Sequence, residues 1–241
     1  GDIGTSLASG RPVAEQLGFR LKNTLFLAAV AGGVAVPLAV AVGTLAAVGQ
    51  NGIFDRIANV LGLAAVSLPE FFVGYVLIVV FAVKLGVFPS LSAISPDMGL
   101  GARLQAITLP AATLTLTVLA HMMRMTRAAI IGVMSQPFIE MAFLKGVARW
   151  RIVVQHALPN ALAPIINVIA LNLAYLLVGV IVVEVVFVYP GVGQLMVDAV
   201  SKRDVPVVQA CGLLFGAIYV GLNLVADVLA IVANPRLRVA R

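Results

Sequence analysis

Long apolar runs without a charged residue constrain the fold of this chain more than any other feature. The run from Thr24 to Val48 lies between Lys22 and Asp55 and contains no charged residue. A helix needs about 20 such residues to cross the hydrocarbon core of a bilayer. The chain is 61% hydrophobic and 11% charged, whereas an ordinary soluble domain has about 25% charged residues. Much of its surface must therefore face lipid.

Five apolar runs are long enough to span a membrane, two of them interrupted by a single charged residue, Glu70 or Asp227. They are Thr24–Val48, Ile57–Val83, Ile107–Met123, Ala161–Val183 and Val207–Val232. Backbone groups in lipid must be satisfied within the segment, and these runs are too long and alternate too little to be barrel strands. The sequence therefore predicts an all-α membrane protein, a bundle of helices.

The start of the chain indicates a longer protein. The first methionine is Met98, so we expect Gly1 to be an internal position. We also expect a sixth span to precede it, which would make residues 1–23 an extracytoplasmic segment that follows the missing span.

Basic residues lie at the ends of the spans and predict the orientation. The segment between the third and fourth spans, called the central loop here (about residues 124–159), carries five of them: Arg124, Arg127, Lys145, Arg149 and Arg151. Lys and Arg accumulate in cytoplasmic loops, so this loop is expected in the cytoplasm, together with the tail 234–241. Because the basic residues form no aromatic-interleaved stripe, the net charge of +6 does not indicate nucleic acid.

The central loop contains an amphipathic segment with clear helix signals. Pro137 suits the first position of a short helix, because its missing N–H costs nothing there. Ile139, Ala142 and Phe143 should then share one face. Gly146 is expected to end this helix in the left-handed conformation. The residues alone fit an interfacial helical hairpin that lies on the membrane.

A second helix of the loop is expected to run through Trp150 and Val153 toward Leu158. Pro159 should mark the entry to the fourth span.

The spacing of these residues resembles a known motif. Glu140-x-Ala142, three residues, Gly146, nine residues, His156, then Leu158-Pro159 is similar to the EAA loop of ATP-binding-cassette importer permeases. Met141 and His156 depart from that pattern. The resemblance implies a coupling helix that docks on a cytoplasmic ATPase subunit through Glu140, Ala142, Phe143, Gly146, Arg149, Leu158 and Pro159.

The resemblance extends over most of the chain. GDIGTSL and GRPV near the start, SLPEFFVGYVLIVVFAVKLGVFPS in the second run, VVEVVFVYPGVGQLMVDAVSKRDVPVVQ after the fourth run and the closing NPRLR resemble permeases for dipeptides, oligopeptides, nickel and glutathione. The tyrosine-proline-glycine stretch is similar to the first of the two permease types in such systems.

This resemblance implies a type I importer transmembrane domain at 24–233. It also implies the partners: a second homologous permease, two cytoplasmic ATPase subunits and an extracytoplasmic binding protein that delivers a peptide-class solute. The expected location is the plasma membrane of a prokaryote, the inner membrane if Gram-negative. The chain has no G-x-x-x-x-G-K-[ST] motif, so ATP and Mg are expected on the partners and no cofactor or catalytic site on this chain. Cys211 is the only cysteine, which excludes an internal disulfide.

Polar residues near the membrane are the remaining candidates. Glu70 is interpreted either as a pathway or gating residue or as a structural carboxylate, because a charge at mid-bilayer must face the bundle interior or a wet cavity. Tyr189, Gly191 and Asp198 either contact the binding protein or form an ordinary surface turn.

Two other functions remain open from the residues. One is a proton-coupled secondary transporter that uses Glu70 and Asp227, although no inverted repeat supports it. The other is an intramembrane hydrolase, for which no nucleophile and base can be paired. The transported substrate is not specified by the sequence.

Overall fold

A computed structural model describes residues 3–95 and 97–233, and these residues are mainly helical. The helices are α1 (Val13–Val48), α2 (Ile53–Ser67), α3 (Glu70–Leu77), α4 (Leu100–Met134), α5 (Pro137–Leu144), α6 (Arg149–Arg151), α7 (Leu158–Val186), α8 (Val192–Ser201) and α9 (Val205–Ala233). Two π-helical stretches extend them, Ile78–Lys84 after α3 and Ile152–Ala157 before α7. The described residues form no sheet apart from one antiparallel bridge, between Thr5 and Pro12.

The predicted helical spans are confirmed. In the described part of the chain, four helices are long and apolar enough to cross a membrane, and five are if α2 and α3 count as one broken span. The first helix begins at Val13 rather than near residue 24. Val13 and Leu17 pack in a buried cluster with Cys211, and such packing stabilises a helix beyond its apolar run.

The second predicted span is broken at Pro69. Helix α2 ends at Ser67 and α3 begins at Glu70, while Pro69 between them is extended with φ −61° and ψ 142°. Proline lacks the N–H that would continue the helix, and it disfavours the α conformation in the residue before it.

The chain divides into two compact units. Of the described residues, the first comprises 3–33, 68–95, 97–115 and 175–220, and the second comprises 34–67, 116–174 and 221–233. One core of the first unit is built by α1, α8 and α9 around Val13, Leu195 and Cys211. A core of the second unit lies around Ile130, Ile139 and Ile152. The tail with NPRLR lies outside the described residues.

Candidate functional site

The short helix α5 and the turn after it form the centre of the central loop. Pro137 is the first residue of α5, and Gly146 is left-handed with φ +76°. The N–H of Val147 donates to the carbonyl of Ala142 at 3.2 Å, and the N–H of Gly146 donates to that of Phe143 at 2.9 Å. These two bonds define a Schellman motif, which satisfies the last carbonyls of the helix. Both local predictions, Pro137 and Gly146, are confirmed.

One face of the central loop is buried in the core of the second unit. Ile139, Ile152, Val153 and Ala157 are all 0% exposed, and they pack with Ile130 of α4 and other residues. Ala142 packs against this cluster as predicted. Phe143, the third residue predicted on this face, has a side chain that is 43% exposed. Of the three predicted residues, Ile139 and Ala142 therefore pack in this core.

The other face presents large apolar side chains to the outside. Five of them, which we call the exposed apolar face, are Phe138, Met141, Phe143, Leu144 and Trp150. Leu144 is the most open at 77% exposure. Charged residues flank them: Glu140, Lys145, Arg149 and Arg151 are exposed as well. Apolar side chains inside a charged rim are typical of a protein–protein interface.

Pro159 is the second residue of α7, and the helical path continues on both sides of it, so its role as the entry to the fourth span stays a prediction. The chain continues from Arg149 through the π-helical stretch Ile152–Ala157 into α7, and Pro159 lies inside this helix. Because a proline cannot donate to the carbonyl four residues before it, an ordinary α-helix would be disrupted at Gln155. In a π-helix each carbonyl accepts from the N–H five residues later, so the carbonyl of Gln155 does not need a donor at Pro159. Leu158 is partly buried and Pro159 is exposed.

The turn between α1 and α2 adjoins the central loop, which the sequence did not predict. Arg149 Nη2 donates to Gln50 Oε1 at 3.4 Å. A few residues after Gln50, the buried Asp55 carboxylate accepts hydrogen bonds from Arg127 Nε at 2.5 Å and from Arg127 Nη2 at 2.7 Å. No charge pattern in the sequence links Asp55 to Arg127, which lies 72 residues later.

The tyrosine-proline-glycine turn is buried rather than displayed. Tyr189 is 0% exposed, and its hydroxyl donates to the carbonyl of Asn23 at 2.7 Å. Asn23 Nδ2 in turn donates to the carbonyl of Pro190 at 2.9 Å. Burial raises the pKa of the Tyr189 hydroxyl, which therefore stays protonated. Tyr189 and the buried Gly191 thus offer no surface to a partner in this structure, contrary to their predicted contact. Asp198, which is partly exposed, remains a prediction.

A buried carboxylate, Glu184, organises this turn. Its Oε1 accepts the Thr24 hydroxyl at 2.6 Å, and its Oε2 accepts the N–H groups of Gly193 at 2.7 Å and Gln194 at 3.1 Å. These two N–H groups belong to the first turn of α8, where a negative charge is favourable. Gly191 lies so close to the carboxylate that a Cβ there would overlap it.

A second carboxylate fixes the segment before α1. Asp204 accepts the Ser6 hydroxyl and the N–H of Leu7, the latter at 3.0 Å. The hydroxyl of Ser6, together with backbone N–H groups, holds the pKa of Asp204 below its ordinary value. The carboxylate is therefore charged at neutral pH, and it anchors the loop that begins the chain.

Glu70 begins α3 and lies against Gly179 of α7. A Cβ on Gly179 would be 2.8 Å from Glu70 Oε2. The side chain is partly buried, and no ion pair to it is formed within the described residues. Asp227 is exposed on α9. Both residues keep the alternative interpretations that the sequence gave them.

These features define the class of protein. The chain belongs to the family of binding-protein-dependent transport system inner membrane components, whose model matches residues 39–239. It is a multi-pass inner-membrane permease of the ABC importer class, as the resemblance predicted.

Individual relatives make the placement more specific. The chain is 40% identical over 238 residues to the glutathione transport system permease protein GsiC of Escherichia coli K12. The matched region covers 99% of this chain and 75% of the relative. The protein of the same name from Pectobacterium atrosepticum matches with the same figures.

The fold is similar to that of solved importers. An inward-facing structure of the MetNI methionine ABC transporter covers 91% of this chain and 97% of its own, with a TM-score of 0.73 and 18% identity. Its native crystal form gives a TM-score of 0.70 at 19% identity. At this identity the likeness shows the fold alone, which is the type I importer transmembrane domain.

Proposed function

We propose that this chain docks on cytoplasmic ATPase subunits through its central loop and that ATP binding there drives import. The observation that carries the proposal is the exposed apolar face on a turn whose other side is fixed in a core. Five large apolar side chains stand beside Lys145, Arg149 and Glu140, and among the described residues they remain 43–77% exposed. Leaving such a surface in water is unfavourable, so a partner protein is its expected cover.

The proposed cargo is a peptide-class solute, such as a dipeptide, an oligopeptide, a nickel chelate or glutathione. The support for this class is the 40% identity to permeases that are named for glutathione transport. A second permease and an extracytoplasmic binding protein would complete the complex. The central loop would then lie in the cytoplasm, and the Tyr189 turn on the opposite side of the membrane.

Transport would proceed by alternating access. Closure of two ATPase subunits would displace the central loop and the helices attached to it as rigid bodies. Glu70 would line or gate the pathway, since its carboxylate has no charged partner in the described part of the chain. ATP and Mg would be held by the ATPase subunits.

The test is co-purification of the full-length permease with its partners in mild detergent, followed by transport in proteoliposomes. Gly146→Asp should abolish recovery of the ATPase subunits. Nothing lies within 4 Å of a Cβ at Gly146, so the change acts through left-handed strain and an added charge rather than through a clash.

The matched control is Gly86→Asp. Gly86 is also left-handed, with φ +62°, and also has open space around it, but it lies outside the central loop. Equal loss of ATPase subunits in both variants would attribute the effect to strain alone and remove the support for docking. Uptake driven by a pH gradient without any ATPase would replace the proposal with the secondary transporter.

A further inference from the structure

Helix α2 is attached to the rest of its unit by a narrow stripe. Its buried residues are Asp55, Ala58 and Gly62. A Cβ on Gly62 would lie 2.9 Å from Met123 Cε, so α2 and α4 approach closely there. The large side chains of α2 point away and are exposed, among them Ile53, Phe54, Ile57, Val60, Leu61, Leu63 and Val66. Alanine and glycine bury little apolar area, so apolar packing within the unit holds α2 weakly.

The Asp55–Arg127 ion pair supplies the directional part of that attachment. Nε and Nη2 of Arg127 bind the two carboxylate oxygens separately, at 2.5 and 2.7 Å. The Asp55 side chain is 3% exposed. It also accepts the N–H of Asn51 and the amide of Asn59, each at 2.8 Å. A bidentate pair fixes orientation as well as distance, so α2 is held to α4 in one geometry.

The central loop is attached to the same elements. Helix α4 ends at Met134, and only two residues separate it from Pro137. Ile130 of α4 packs in one cluster with Ile139, and so does Ala47 near the end of α1. The Asp55 carboxylate therefore joins Arg127 of α4 to the α1–α2 turn, and both neighbour the loop. A displacement of the loop acts on both sides of this carboxylate.

We propose that Asp55 and Arg127 are positioning residues that make α2 follow the displacement of the central loop. This inference rests on the proposed function, in which ATPase subunits move the loop. With the pair intact, the loop, the end of α4 and α2 move as one body. Without it, the loop still docks on the ATPase, but α2 no longer follows.

The experiment follows two reporters in the complex of full-length permease and ATPase subunits. Cys211 is replaced by Ser, and a single cysteine is placed at Ile53 on α2 or at Val154 in the central loop, outside the exposed apolar face. These positions are 79% and 43% exposed. The rate of maleimide labelling is measured without nucleotide and with ATP plus vanadate. With the native pair, both reporters should respond to the nucleotide.

Arg127→Lys is the informative variant. Lysine keeps the charge but provides a point contact instead of the fork. The Val154→Cys reporter should keep its response, and the response of Ile53→Cys should shrink at least ~5-fold, the lower end of ordinary coupling between sites. Asp204→Asn is the matched control, since it weakens a carboxylate anchor in the other unit. It should leave both responses unchanged.

Each other outcome overturns the inference. An unchanged Ile53→Cys response in the Arg127→Lys variant shows that the pair transmits nothing. Loss of ATPase subunits in that variant shows a structural role only. If Val154→Cys does not respond even with the native pair, the proposed function itself fails, which is distinguishable from failure of the pair.

Discussion

Two turns of this protein close in the same way and present opposite surfaces. At Gly146, the Schellman bonds run from Val147 to Ala142 and from Gly146 to Phe143; at Val188, they run from Tyr189 to Glu184 and from Val188 to Val185. The left-handed residue has φ +76° at Gly146 and φ +52° at Val188. Backbone geometry therefore does not distinguish the two turns.

Their side chains distinguish them. The Gly146 turn leaves the exposed apolar face uncovered, and its side-chain bond to another element, from Arg149 to Gln50, is 3.4 Å long and exposed. The Val188 turn is cross-linked to α1 by buried bonds of Glu184 and Tyr189. The uncovered apolar groups of the first turn fit the proposed contact with another protein, whereas a turn with satisfied buried polar groups is complete in itself.

The strongest test of this contrast replaces one glutamate in each turn by alanine. Glu184→Ala should lower the free energy of unfolding by about 3 kcal/mol, because it leaves the Thr24 hydroxyl and two N–H groups buried without an acceptor. Glu140→Ala, in the exposed part of α5, should change it by less than about 0.5 kcal/mol. Thermal unfolding of the detergent-solubilised protein measures both. Equal losses would mean that the two turns are not different in kind.

A glycine-to-alanine change in each turn separates overlap from backbone strain. In Gly191→Ala the new Cβ overlaps the Glu184 carboxylate, which should cost about 2–3 kcal/mol, the upper part of the range for overpacking. In Gly146→Ala the Cβ has open space, so only the left-handed conformation costs about 1 kcal/mol. The same unfolding assay compares them. A larger loss at Gly146 would contradict the tightly packed state of the Gly191 turn.

The contrast also explains which parts of the site the sequence predicted. Pro137 and Gly146 were predicted because each residue type has its own backbone preference, which acts locally. The burial of Tyr189 was missed because it depends on Asn23, which is 166 residues away. Asp55 and Arg127 were missed for the same reason.

The fold shows the same division between local and distant causes. The spans were predicted because lipid requires long apolar helices. The start of α1 was not predicted, because Val13 and Leu17 extend this helix through packing with residues near Cys211. The continuous helix through Pro159 depends on a π-helical stretch that no residue type signals.

A charge on the exposed apolar face should affect assembly and leave folding unchanged. Leu144→Glu places a carboxylate where we propose an ATPase groove, and it should weaken binding of the ATPase subunits by about 2 kcal/mol, or roughly 30-fold. Val200→Glu is the control, since Val200 is an exposed apolar residue of α8 at 56% exposure. Titration of the purified permease with ATPase subunits measures the affinity. Equal weakening by both variants would mean that the surface is not specific.

The smallest expected effect has the opposite sign and concerns the shared geometry. Val188 is β-branched and left-handed, and such residues are rare in that conformation because the Cβ crowds the backbone. Its side chain is 47% exposed, so little packing is lost when it is removed. Val188→Gly should therefore raise the free energy of unfolding by about 0.5–1 kcal/mol, as the gain from relief of strain exceeds the greater freedom of glycine in the unfolded chain. Thermal unfolding measured beside the Gly146→Ala variant shows whether stability rises or falls. The two substitutions are comparable because one adds and the other removes a side chain at the left-handed residue of the same motif. A loss of stability in Val188→Gly would show that the Val188 side chain contributes more through its contacts than its backbone conformation costs.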